Sequence, residues 1–78
     1  MSDVEQRVKQ VVAQTLKVDP SRITNEANFV KDLGAESIQS IELVAAFEEE
    51  FDIDMDEDAA LSVHTVGGAV KFIEDMLK

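Results

Sequence analysis

The chain has 78 residues, 45% of them hydrophobic, with 17 Asp and Glu against 7 Lys and Arg, one histidine and no cysteine, for a net charge of −10. A chain of this size buries only about 60% of the surface its unfolded form exposes, which argues against a deep catalytic cleft and for one domain over residues 1–78. The lack of cysteine excludes a disulfide framework, a thiolate metal site and a cysteine nucleophile, and the acidic balance excludes DNA and RNA as ligands and repels anionic lipid headgroups.

The amino terminus, Met1-Ser2-Asp3-Val4-Glu5, lacks the basic and apolar regions of a signal peptide, and no apolar run approaches the about 20 residues of a membrane span. A cytoplasmic location is expected. Ser2 and Glu5 have capping-box spacing, and Val4, Val8, Val11, Val12 and Leu16 recur at helical intervals, which predicts a helix over about 3–17. Asp19-Pro20 is expected to break it, because the residue before a proline avoids the helical region. The connection over 18–36 should be held to the core by Ile23, Phe29 and Leu33. Ser37 to Phe51 contains neither Gly nor Pro and reads as a second helix over 37–51. Asp56 can cap a short helix over about 57–61, and Thr65 a last one over about 65–77, in which Val66, Ala69, Val70, Ile73, Met76 and Leu77 keep helical spacing. Gly67 and Gly68 should weaken its first turn by about 1 kcal/mol each relative to Ala. The fold class is all-α, a small bundle of three longer helices plus one short one.

The charge is segregated, since no Lys or Arg occurs from Asp32 to Val70 while 11 of the 17 acids do. The second helix concentrates the contrast. At about 100° per residue, Leu43, Val44, Phe47 and Phe51 form an ordinary core stripe. Ile38, Ile41 and Ala45 form a second apolar stripe on another side, bordered by Glu42, Glu48 and Glu49. Burial on both sides is the simple reading for the middle helix of a bundle. The flanking carboxylates oppose it, because an unpartnered buried carboxylate is costly. A docking surface, apolar at its centre and negative at its rim, accounts for both and suits partners with basic patches. Ser37 opens this helix. A serine there ordinarily acts as a cap, but the free amides and dipole of a helix start also suit a phosphate ester.

Phe29-Val30-Lys31-Asp32-Leu33-Gly34-Ala35-Glu36-Ser37-Ile38, then Ile41-Glu42-Leu43-Val44 and Phe47-Glu48-Glu49-Glu50-Phe51, strongly resemble the acyl carrier protein family, over the whole chain from Val4 to the Thr65-Val66 opening of the last helix. The resemblance implies that Ser37 carries 4′-phosphopantetheine, transferred from coenzyme A by a phosphopantetheinyl transferase such as holo-acyl-carrier-protein synthase. It implies that the arm supplies the missing thiol, that acyl groups ride on it as thioesters, and that the chain itself, a monomer, is not an enzyme. Glu36, Ile38, Ile41, Glu42, Ala45, Glu48 and Glu49 match the positions through which acyl-processing enzymes read the family. Leu43, Phe47, Leu61, Val63, Ala69 and Ile73 resemble the lining of its acyl pocket and read equally well as plain core.

The sequence departs from the usual Gly-x-Asp-Ser-Leu pattern at Glu36 and Ile38, and Gln39 stands where an acid is frequent. These departures hint at a specialised carrier for polyketide, lipid A or aminoacyl chemistry rather than general fatty-acid synthesis. An interaction module without a working arm is the competing class. Asp52, Asp54 and Asp56 imitate the start of a calcium loop, but Glu57 stands where glycine is required and Val63 where glutamate is, which excludes an EF-hand. His64 has no catalytic or metal partners in the sequence, and Met55 and Met76 read as core fillers.

Overall fold

A computed structural model describes residues 3–78. Among the described residues four helices make up the fold: α1 (Asp3–Leu16), α2 (Ser37–Phe51), α3 (Glu57–Leu61) and α4 (Val66–Leu77), with a single 3-10 turn over Pro20–Arg22. Among the described residues there is no strand, only an isolated antiparallel bridge between Asn28 and Thr65. The capping box expected from Ser2 lies outside the described residues.

α1 packs against both α2 and α4, and α3 against α2. The helical intervals read from the sequence become the core: Val8, Val11, Val12 and Leu16 of α1, Leu43, Val44, Phe47 and Phe51 of α2, and Val66, Ala69, Val70 and Ile73 of α4 are all buried. No buried residue among those described is polar or charged. The expected anchors Ile23, Phe29 and Leu33 are buried as well, joined by Ala27 and Ala35. Met55 is half-buried against the core, whereas Met76 and Leu77 lie exposed at the end of α4. Periodicity gives the face a residue occupies but not whether anything covers it, and the reading of Met76 as a core filler fails for that reason.

α1 stops at Leu16 rather than near 17, because Lys17 adopts the left-handed conformation (φ 57°) and the Val18 amide donates back to the Ala13 carbonyl at 3.2 Å. α2 ends the same way, with Asp52 at φ 54° and the Ile53 amide donating to the Glu48 carbonyl at 3.1 Å. Both are Schellman-type ends followed by an apolar residue packed on the core, with Lys and Asp where glycine is usual. Asp19-Pro20 therefore follows the end of α1 instead of causing it, and opens the 3-10 turn. The Asp19 carboxylate accepts from the Ser21 amide at 2.9 Å, a bond that holds its carboxyl below the ordinary range. At α4 the cap is Thr65, whose hydroxyl accepts from the Gly68 amide at 3.1 Å.

The connection before α2 is organised by Asn28. Its side-chain oxygen accepts from the amides of Val30 and Lys31, both at 2.9 Å, while its own amide donates to Asp32 Oδ2 at 2.7 Å. The segment is tied to the start of α4 by backbone bonds from Phe29 to the His64 carbonyl (2.9 Å), from Val66 to the Ala27 carbonyl (3.0 Å) and from Gly67 to the Asn25 carbonyl (2.9 Å). A Cβ on Gly67 would come within 3.0 Å of that Asn25 carbonyl oxygen, so the glycine that weakens the helix also permits the close approach.

Candidate functional site

Ser37 is the first helical residue of α2 and not its cap. Glu36, in extended conformation, holds the cap position, and its amide donates to Gln39 Oε1 at 2.8 Å. Gln39 thus closes the helix start by the capping-box bond from the third helical residue, a role a neutral amide fills as well as a carboxylate. Gly34, at φ 72° where side chains are strained, turns the chain toward Ala35 and Glu36. The Ser37 side chain is exposed, and its hydroxyl has no hydrogen bond to any other described residue. It stands where the amides of a helix start lack intrahelical partners and the dipole favours negative charge.

The second apolar stripe of α2 is at the surface, so the reading of α2 as buried on both sides is set aside. Ile38 is 66% and Ile41 49% exposed, and Ala45, Glu36, Glu42 and Glu49 are exposed with them. Glu48 differs: it is half-buried, and its carboxylate accepts from the Met55 amide at 2.9 Å. The three adjacent glutamates have three fates, since Glu50 Oε2 pairs with Arg7 Nε at 2.8 Å and Glu49 has no ion pair among the described residues.

One cavity of about 200 Å³ lies among α2, α3 and α4. Five of the six residues expected in an acyl pocket line it: Leu43, Phe47, Leu61, Val63 and Ala69. Ile73 does not; it is fully buried in the core, and Phe72, about 100° round the helix, forms the wall instead. Phe29 and Val30 of the connection, Val44, Met55, Ala60 and His64 complete the lining, together with Ser40. Ser40 and Val44 could have been found from the sequence, because 40, 43, 44 and 47 form one helical stripe. The walls from Phe29, Val30 and Met55 could not, because hydrogen bonds far from any helical period bring them there. Ser40 follows Ser37 by three residues, about 4.5 Å along the axis at 1.5 Å per residue, so the free hydroxyl and the cavity share one end of α2. A dry apolar cavity of about 150 Å³ is enough to hold benzene, so this one has room for a short alkyl chain.

The family model described as a phosphopantetheine attachment site matches residues 6–73. The chain is 53% identical over 77 residues to the acyl carrier protein of Phenylobacterium zucineum (strain HLK1), covering 99% of this chain and 98% of that one. It is 52% identical over 75 residues to the acyl carrier protein of Caulobacter vibrioides (strain NA1000 / CB15N), covering 96% of each. The chain belongs to the phosphopantetheine-attachment family, as an acyl carrier. Its cofactor is covalent 4′-phosphopantetheine. The site fits that group in two respects: a serine hydroxyl free for esterification stands at a helix start, and an apolar cavity begins one turn away.

Proposed function

We propose that Ser37 is the attachment residue and that the protein, a single-domain cytoplasmic monomer, shuttles acyl thioesters between enzymes of fatty-acid synthesis without catalysing a reaction itself. The single observation that carries this is the exposed, unpartnered Ser37 hydroxyl, one helical turn before Ser40 in the lining of an apolar cavity. Its oxygen is the nucleophile toward the diphosphate of coenzyme A, and the transferase supplies the base, since the one histidine is 27 positions away in sequence and lines the cavity instead. The bound arm supplies the thiol on which acyl groups are held.

Ile38, Ile41 and Ala45, rimmed by Glu36, Glu42 and Glu49, are the surface read by the transferase and by acyl-processing enzymes with basic patches. Leu43, Phe47, Leu61, Val63 and Ala69 shelter the chain of the cargo. Gln39 supports the general-carrier reading over a specialised one, because its departure from an acid is accounted for by its bond to the Glu36 amide.

The deciding experiment is intact mass spectrometry after incubation with coenzyme A, magnesium and a broadly specific phosphopantetheinyl transferase. The native chain is expected to gain one phosphopantetheinyl unit and Ser37→Ala none, with unchanged folding. A native chain that gains nothing overturns the carrier reading in favour of an interaction module.

A further inference from the structure

The chain has three methionines and no cysteine, so before an arm is attached all of its sulfur is thioether. Met1 lies outside the described residues. Met76 is 38% exposed near the end of α4 and takes no part in the cavity lining, whereas Met55 is half-buried in the cavity wall and brings it its only sulfur atom. The wall on which that sulfur lies is mostly apolar, with Phe47, Leu61 and Val63 among its members. The backbone beneath it is fixed, because the Met55 amide donates to the Glu48 carboxylate at 2.9 Å. Met55 is therefore open enough for a small solute to reach it, while its root is tied in place.

We propose that Met55 is a site of reversible oxidation by hydrogen peroxide, and that its oxidation makes the shelter of the cargo sensitive to redox state. The thioether sulfur attacks one peroxide oxygen; an S–O bond forms, the O–O bond breaks, and the departing hydroxide takes the proton from the transferred oxygen and leaves as water. Sulfur loses two electrons and the peroxide gains them. The product replaces a flexible apolar side chain by a polar one with a strong acceptor. The cavity offers that acceptor little: its lining holds no Lys or Arg, the Ser40 hydroxyl donates to the Glu36 carbonyl at 3.4 Å, and His64 is exposed at the edge. A sulfoxide turned inward sets an unsatisfied oxygen against the alkyl chain, and one turned outward withdraws the side chain from the wall. Either way a cavity of about 200 Å³ loses apolar contact with what it holds. The effect is reciprocal, since an alkyl chain lying against the sulfur shields it from peroxide. The cargo belongs to the carrier reading, on which this part rests, whereas the oxidation site is a property of the unloaded chain.

The test follows sulfoxide formation at Met55 and Met76 by peptide mass mapping in dilute hydrogen peroxide, on chains loaded with an acetyl- or a hexanoyl-phosphopantetheine unit, in both of which the arm's thiol is masked. The hexanoyl unit is expected to slow oxidation of Met55 about threefold relative to acetyl and to leave Met76 unchanged. Equal rates at Met55 overturn the contact between cargo and sulfur, and the proposal with it. The hexanoyl chain should also melt at a higher temperature than the acetyl chain. Oxidation is expected to remove about half of that difference or more in the native protein and in Met76→Leu, and none in Met55→Leu, which keeps an apolar wall; a methionine sulfoxide reductase should restore it. A difference that survives full oxidation of Met55 overturns the redox sensitivity. A chain that takes up no arm at Ser37 overturns the carrier reading, and the unloaded chain then decides the rest: its melting temperature is expected to fall by about 5 °C on oxidation in the native protein and not in Met55→Leu. An equal fall in both proteins overturns Met55 as the responsive site.

Discussion

The two halves of α2 have the same kind of sequence, glutamates interspersed with apolar residues, but they relate differently to the rest of the molecule. In the amino-terminal half, Ile38, Ile41 and Glu42 face outward and nothing in the described chain covers them. In the carboxy-terminal half two of the three acids are engaged. Glu48 holds the following segment, and Glu50 is held by Arg7, which also donates from Nη2 to the Glu50 carbonyl at 2.7 Å and lies 4.5 Å from the centre of the Phe51 ring. One helix is thus anchored at its end and bare at its start, and the bare part begins at the serine. A carrier needs this division: the surface that strangers must grip has to be left unused by the fold, and the rigidity has to come from elsewhere.

Phe47→Ala should have the largest effect on stability. Phe47 is buried where the anchored half meets the cavity, and its removal should cost about 3–5 kcal/mol, a large share of what a small domain has. A urea midpoint that moves little would show that the cavity walls collapse into the gap. Arg7→Ala comes next, at about 1.5 kcal/mol. The ion pair is 44% and 38% exposed at its two side chains and contributes little by itself, so most of the loss comes from the contact with Phe51 and the bond to the end of α2. A thermal shift abolished by high salt would mean instead that the ion pair dominates.

The bare half should respond in the opposite way. Ile41→Ser is expected to change folding stability by less than about 0.5 kcal/mol, since Ile41 is half exposed, yet to raise the KM of the phosphopantetheinyl transferase about fivefold. Equal losses of stability and of loading would show that the stripe belongs to the core after all.

The contrast within α2 was only half legible in the sequence. The limits of α2 and α3 were readable because glycine, proline and capping residues mark them, and the outward stripe was readable because carboxylates beside Ile41 and Ala45 are incompatible with dry burial. Which of the three adjacent glutamates serves the fold was not, since the helical period sets their directions but says nothing of an amide seven residues on, at Met55, or of an arginine 43 residues back. The cavity was legible along α2, α3 and α4 and illegible where Asn28 and Glu48 steer irregular chain into its walls. Ile73 was misplaced for a related reason. Spacing of four from Ala69 marks a shared helix face, but Ile73 is fully buried in the core and Phe72, about 100° round the helix, lines the cavity in its place.

The two left-handed helix ends should gain stability on substitution rather than lose it. Lys17 and Asp52 occupy the same backbone conformation, which costs about 1–2 kcal/mol for a residue with a side chain, while glycine gives back about 0.5–1 kcal/mol through its freer unfolded state. Backbone strain alone therefore predicts equal gains of about 0.5–1 kcal/mol for Lys17→Gly and Asp52→Gly. Charge separates them. On a chain of net charge −10, removing Lys17 adds to self-repulsion, whereas removing Asp52 relieves it within the cation-free stretch. Asp52→Gly should raise the melting temperature more than Lys17→Gly at low salt, and the two should converge as salt screens the difference. A gap that persists at high salt would place the difference in local contacts of the two turns, and would make the end of α2, where Glu48 and Asp52 meet, more specialised than the end of α1.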